Sequence, residues 1–299
     1  MAIIYDNGSP TITQDYSKNY ALIEKIAKQL LLGVQSTNRL QWIDKGKVVH
    51  GVAIEQAVVE LAEGYDWKAE EQTGENLNAP SYPDIVVQYF KTWNGRQFKT
   101  TVSETQIQKI ILAGGRDGDL SEKIVSSLTE GEGNEDYQDS KGLLLAGITN
   151  NTIIKYPTVT PVSADLITTI KNISDEFGFV NTSYVKANYK TRTPFERLHL
   201  IMPYTVFNKL NVDVLASLYN LEKAELLKKI TLIDEGTKVF IVDEFGLIKY
   251  TRVYKMTSKY IEDGLYSNYW LTVDRMYGTS GLFKMAYIET SSEGTDSKL

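Results

Sequence analysis

The apolar positions of this chain change period several times. In KNYALIEKIAKQLLLG, Leu22, Ile23, Ile26, Ala27, Leu30 and Leu31 recur at helical spacing and Gly33 closes the run. KVVHGVAIEQAVVELAE is rich in β-branched residues, and its apolar parity switches between Ile54 and Ala57. It predicts a long strand with a bulge or bend near Glu55 and Gln56. GYDWKAEEQTGENLNAPSYP, acidic and rich in Gly and Pro, predicts an exposed tip. The chain returns through DIVVQYFKTWNGRQFKTTV, strand-like again, with Asn94-Gly95 marking a kink or turn. Two extended runs around one tip cannot bury both faces within their own domain, and a lone hairpin is marginal. The excursion needs a neighbour.

Ser103 and Gln106 form a capping-box pattern, and Ile107, Ile110 and Ile111 give the helix after them an apolar face that ends at Gly114. Asp119 with Glu122 predicts a second N-cap. Leu120, Ile124 and Leu128 then resume helical spacing as far as Thr149, a helix of ~46 Å at 1.5 Å per residue. A kink is expected near Gly131, since each interior glycine costs up to ~1 kcal/mol against alanine. Beyond Pro157 the clearest helix is VSADLITTIKNISDEFGF, capped by Ser163, with Leu166, Ile170, Ile173 and Phe177 inward and Gly178 at its end. HLIMPYTVF predicts a buried strand entering a helix, and NVDVLASLYNLEKAELLKK one or two helices. ITLID, KVFIVD, LIKYTRVYKM, NYWLTVDRMYG and GLFKMAYIE predict strands. The class is α+β without regular βαβ alternation.

Composition narrows the function classes. The 299 residues allow one large domain or two intimate ones. A net charge of −6 argues against a dedicated nucleic-acid surface. With no cysteine there are neither disulfides nor thiolate zinc sites, and a reducing compartment is the simplest home. The N-terminus MAIIYDNGSP lacks the features of a secretory signal, and no apolar run reaches the ~18 residues of a membrane span. A soluble protein made in a cytosol is expected. Nineteen tyrosines and four tryptophans, spread along the chain, suit core and subunit contacts.

Candidate chemistry is thin. AGGRDGDLSE, residues 113–122, fails as a P-loop because Arg116 and Asp117 stand where the final Gly-Lys belongs. It fails as an EF-hand because Leu128 occupies the twelfth position. Helix punctuation accounts for all of it. His50 and His199 are the only histidines, each in a strand-like run, and read as packing residues. Glu130, Glu132, Glu135, Asp136 and Asp139 read as a solvated helix face, and Asp243-Glu244 before Phe245-Gly246 as a turn. No catalytic residue, metal ligand or cofactor is expected.

The order of parts carries the functional information. VELAEG through SYPDIVVQYF, the landing FKTTVSETQI, the helix opening DLSEKIVSSL, and later NVDVLASLYNLEKAELLKKITLIDE and GLYSNYWLTVD resemble the major capsid proteins of tailed bacteriophages, the HK-ninety-seven type of shell protein. The resemblance covers nearly the whole chain through soft motifs. It implies an N-terminal arm and helix (1–45) and an extended β-hairpin loop (46–102, tip 64–82). A peripheral domain with a long spine helix (103–155 and 268–290), an axial domain (156–267) and a flexible tail (291–299) complete it. It also implies hexamers and pentamers in an icosahedral or prolate head around double-stranded DNA, assembled in the host cytoplasm and resident in the virion. A separate scaffolding protein, a portal protein at one vertex, packaged DNA held by non-specific proximity and no membrane are the implied partners. Expected intersubunit contacts are Tyr65, Trp67, Lys68, Tyr82, Trp93 and Arg96. Lys68, the only lysine in the tip, sits among carboxylates, so an ion pair is expected there and no covalent cross-link. With about forty-five residues ahead of the excursion, an untrimmed N-terminus is expected. Encapsulins, cargo compartments of the same fold, are the alternative, with Ser17–Leu32 as a lumen-facing helix. An enzyme with an unrecognised site is the second alternative.

Overall fold

The computed structural model describes residues 2–6, 9–13, 38–48, 53–62, 82–105, 117–210, 212–219 and 223–291. The expected helix at Ser17–Leu32, His50, most of the tip, most of the helix after Ser103 and nearly all of the tail lie outside these residues. The chain divides into two compact units, one of 1–38, 95–136 and 253–274 and one of 39–94, 137–252 and 275–299. Each cut falls at or within a continuous strand, helix or turn.

The larger unit is built on a six-stranded mixed sheet. Its strands are β7 (Ile154–Lys155), β8 (Thr160–Pro161), β9 (Leu198–Pro203), β10 (Ile230–Ile233), β11 (Lys238–Asp243) and β14 (Met285–Ser291), in the order β10-β9-β11-β14-β7 with β8 also on β14. The near-continuous apolar runs of β9, β11 and β14 are buried because both faces of the sheet are covered. One cover is helix α2 (Ala164–Gly178), whose Leu166, Ile170, Ile173 and Phe177 meet Leu200, Met202, Val239, Ile241, Ala286 and Ile288. Ser163 caps it as expected, its Oγ accepting from the Asp165 N–H at 3.2 Å. Short helices α3 (Tyr204–Phe207), α4 (Val212–Leu218) and α5 (Lys223–Lys229) add Val206, Leu215 and Leu226 to the same cluster.

Lys284 closes the other end of α2. Fully buried, its ammonium donates to the carbonyl oxygens of Glu176, Phe177 and Phe179 and to Asn181 Oδ1, at 3.2, 3.4, 2.8 and 2.7 Å. Those carbonyls belong to a helix terminus that has no intrahelical donors left. Burial pushes the Lys284 ammonium down to about 8.

The smaller unit holds β6 (Asn94–Ser103) from Gly95 on, helix α1 (Asp117–Thr149) as far as Asp136, and the distal parts of β12 (Leu247–Ile261) and β13 (Tyr266–Thr279). Phe98, Tyr269, Leu271 and Val273 pack on Leu128 of α1. The 33-residue helix starts by Asp117, so Asp119 lies inside it and is not its cap. It stays helical through Gly131, over which the Phe98 ring packs closely enough to touch an added Cβ at 4.0 Å. Glu132 and Asp136 are buried, which corrects the expected solvated acidic face. They continue the Leu128 row at i+4 and i+8, and the Asn38 amide Nδ2–H donates to Asp136 at 2.5 Å. Glu135, on another side of the helix, pairs with Arg96. A two-stranded hairpin, β1 (Ala2–Asp6) with β2 (Ser9–Thr13), also falls in this unit. Strand β3 (Asp44–Lys47) pairs with β12 in the larger unit.

Asn94-Gly95 opens β6 rather than forming the turn. Residues 91–93, without regular structure, connect it to strand β5 (Ile85–Phe90).

Candidate interaction surface

His199 and Asp243, candidates among the described residues, resolve into packing. His199 stacks on Trp42 with ring centroids 4.0 Å apart and planes 2° from parallel. Burial, then the Lys229 charge, pushes its imidazole down to about 4, with Lys45 adding to this and Glu244 and Asp243 opposing it. A folded value below the unfolded one means that stability is complete above the ordinary histidine range and is lost as pH falls from about 6.5 towards 4. The thermal midpoint should therefore drop across that window, and a His199→Phe variant, which keeps the stack, should flatten the drop. An unchanged slope in that variant would assign the acid sensitivity elsewhere.

Asp243 is fully buried and accepts from Thr193 Oγ1 at 2.7 Å, Arg197 Nη2 at 2.5 Å and the Phe245 N–H at 2.9 Å. It forms the 243–246 turn as expected, and its hydrogen-bonding capacity is spent on structure. Among the described residues, no three His, Asp or Glu groups converge to hold a metal ion.

The notable surface is the root of the excursion. Strand β4 (Ile54–Val59) pairs antiparallel with β5 from Ile54↔Phe90 to Val59↔Ile85. Register is regular through Glu55↔Tyr89 and Gln56↔Gln88, so the expected bulge is absent. The parity switch has another cause: a polar residue occupies the inner row. Ile54, Gln56 and Val58 face inward with Phe90, Gln88 and Val86. Ile54 and Phe90 meet Ile248 and Met276, while Val58 and Val86 meet Val185, Tyr189 and Leu282. The Gln56 amide Nε2–H donates to the Phe245 carbonyl at 3.1 Å.

The opposite row is Glu55, Ala57, Val59, Ile85, Val87 and Tyr89. Val59 and Tyr89 are each 57% exposed and Ile85 is 59% exposed, with Leu61 exposed beyond them. In a regular strand these side chains share one face. Three adjacent cross-strand pairs thus place apolar groups in water together, where isolated exposed apolar residues would need no explanation. The two strands form a sheet of their own among the described residues.

Of the expected contact residues, Tyr65, Trp67 and Lys68 lie outside the described residues. Tyr82, three residues before β5, is 83% exposed. Trp93 packs beside the Phe90 cluster, with the Arg252 guanidinium 4.7 Å from its ring centroid, and Arg96 pairs with Glu135. The sequence reading missed Val59, Ile85, Val87 and Tyr89. Their signal was the alternation in DIVVQYF, which becomes legible only once Gln88 is known to point inward.

Comparison with known proteins places this geometry. A family model described as Phi29-like phage major capsid protein matches residues 6–288. The major capsid protein of Bacillus phage GA-1 is 24% identical over 277 residues, covering 87% of this chain and 58% of that protein. That of Bacillus phage PZA is 21% identical over 276 residues, covering 88% of this chain and 60% of its own length. The chain thus spans about three-fifths of the curated relatives it matches. A capsid structure of Staphylococcus phage Andhra superimposes with a TM-score of 0.79 at 11% identity, over 96% of this chain and 95% of that one. The fold is that of phage capsid structures, the HK-ninety-seven type.

Proposed function

Because the chain belongs to the Phi29-like phage major capsid protein family, we propose that it is the shell subunit of a tailed bacteriophage head. In this reading copies form pentamers and hexamers of a closed icosahedral or prolate shell around double-stranded DNA, resident in the virion after assembly in the host cytoplasm. A separate scaffolding protein and a portal protein at one vertex are the assembly partners, and DNA contacts are non-specific. Residues 46–102 act as the extended loop, 103–155 with 268–290 as the peripheral domain and 156–267 as the axial domain, flanked by the arm 1–45 and the tail 291–299.

The observation that carries the reading is the exposed apolar row of β4 and β5. A second copy is the natural cover for it, because each subunit presents the same row and a shell repeats one contact many times. Tyr65, Trp67, Lys68, Tyr82, Trp93 and Arg96 complete the set of contact residues in this reading.

A double substitution, Ile85→Glu with Val87→Glu, charges the row without touching the inner one. Co-expressed with the scaffolding protein, it should give a folded subunit with parental circular dichroism and no closed particles in electron micrographs. Parental yields of particles would remove the row from the interface.

A further inference from the structure

The inner row contains a pair of side chains that apolar packing does not call for. Gln56 and Gln88 stand directly opposite each other, half-buried between two apolar layers. Gln88 makes two bonds to one short segment of the same unit: its Nε2–H donates to the Thr279 carbonyl at 3.2 Å, and its Oε1 accepts from the Gly281 N–H at 2.7 Å. Gln56 has one bond, to Phe245, and its Oε1 is buried without a partner among the described residues. A leucine pair would bury more apolar surface, but it would take these partners from the Phe245 and Thr279 carbonyls and the Gly281 N–H. The amides add direction, since a hydrogen bond fixes position along the strand where apolar contact permits sliding.

At the next inward-facing pair, two residues along the root, a second seat repeats the function in different chemistry. Phe90 is 9% exposed and lies on Gly278, where an added Cβ would stand 2.5 Å from Phe90 Cδ1 and 2.7 Å from Cε1. Only glycine lets the ring lie that close to the β13 backbone. Gln88 and Phe90 are two residues apart on one face of β5, and their seats, Thr279–Gly281 and Gly278, are consecutive in the chain.

We propose that Gln88 and Phe90, seated on residues 278–281, are positioning residues for assembly. They lock the root of the excursion to its own subunit and thereby set the angle and register at which the outer row meets the neighbouring copy. This rests on the reading that the outer row is an intersubunit surface. Orientation matters because a rigid, pre-aligned arm spends no association free energy on ordering itself.

Two substitutions loosen the seat by unrelated routes. Gly278→Ala displaces the Phe90 ring and leaves the amides, whereas Gln88→Leu removes both amide bonds and leaves the ring. Hydrogen exchange of the free subunit should lose protection at 54–59 and 85–90 while β9 and β11 stay protected. Shell formation at matched concentration, with the scaffolding protein present, should slow by about tenfold, a change of the size that 1.4 kcal/mol produces, and particles should vary more in diameter. Adding Phe90→Leu to Gly278→Ala makes room for the new methyl and should recover both protection and particle uniformity. A purely structural role would lower the thermal midpoint without changing particle diameter.

Unchanged protection in both variants overturns the proposal, and so does lost protection with parental rate and uniformity. If Gly278→Ala fails to fold, Gln88→Leu decides alone. Should the Ile85→Glu, Val87→Glu subunit assemble like the parent, the interface reading falls instead. The exchange comparison then still decides whether the seat holds the root.

Discussion

Replacing Asp243 with alanine is expected to cost the subunit roughly 3–5 kcal/mol, the range for removing one partner of a buried ion pair. The carboxylate is fully buried and its partners come from three places in the chain: Thr193, Arg197 and the backbone of Phe245. Arg197 is held between the rings of Phe245 and Phe283, with its guanidinium carbon 4.9 and 5.5 Å from their centroids. Without Asp243 that guanidinium keeps its place but loses its counter-ion, which costs more than the loss of one ordinary hydrogen bond. Because the Arg197 side chain retains 29% exposure, water offsets part of the cost, and the effect should sit near the lower end of the range. The thermal midpoint should fall by roughly 6–12 °C, at about 2–4 °C per kcal/mol for a chain of this order of size. Asp243→Leu combined with Arg197→Met should be milder than Asp243→Ala alone, since it removes both charges. A fall of under about 2 °C for Asp243→Ala would show that the ion pair is dispensable.

The second large effect separates folding from assembly. Exchanging residues 64–82 for a short Gly/Ser turn should leave a soluble subunit with nearly unchanged circular dichroism. The register of β4 and β5 is held by their inner row, and a shorter connection lowers the entropy of closing the hairpin. The same variant should fail to form shells. Losing even ~1.4 kcal/mol per contact weakens each association tenfold, and closure of a shell multiplies that loss over many copies. Unfolding of the variant would place the tip in the core. Normal assembly would show that the excursion is not an intersubunit arm.

Where local periodicity determined structure, the sequence was readable. Ser163, Leu166, Ile170, Ile173 and Phe177 specified α2 from cap to core, and the apolar runs at 198–203, 238–243 and 285–291 specified central strands. Where a polar group was buried through a distant partner, the sequence misled. Gln56 read as a bulge because its acceptor, the Phe245 carbonyl, lies 189 positions away. Asp136 read as solvated because Asn38 covers it from 98 positions away. Asn94-Gly95 carried a strong turn signal but opens β6, after three residues without regular structure. The interaction surface was half legible. The expectation that the excursion needs a neighbour followed from its length, whereas the row proposed to meet that neighbour depended on which way Gln88 faces.

Electron cryomicroscopy of particles made by the parental chain with its scaffolding protein tests the central claim most directly. The expected result is a closed shell of pentamers and hexamers in which Val59, Ile85, Val87 and Tyr89 of each subunit lie against a neighbouring copy. Discrete monomers or dimers under conditions that permit assembly, or a shell in which that row faces solvent, would contradict it.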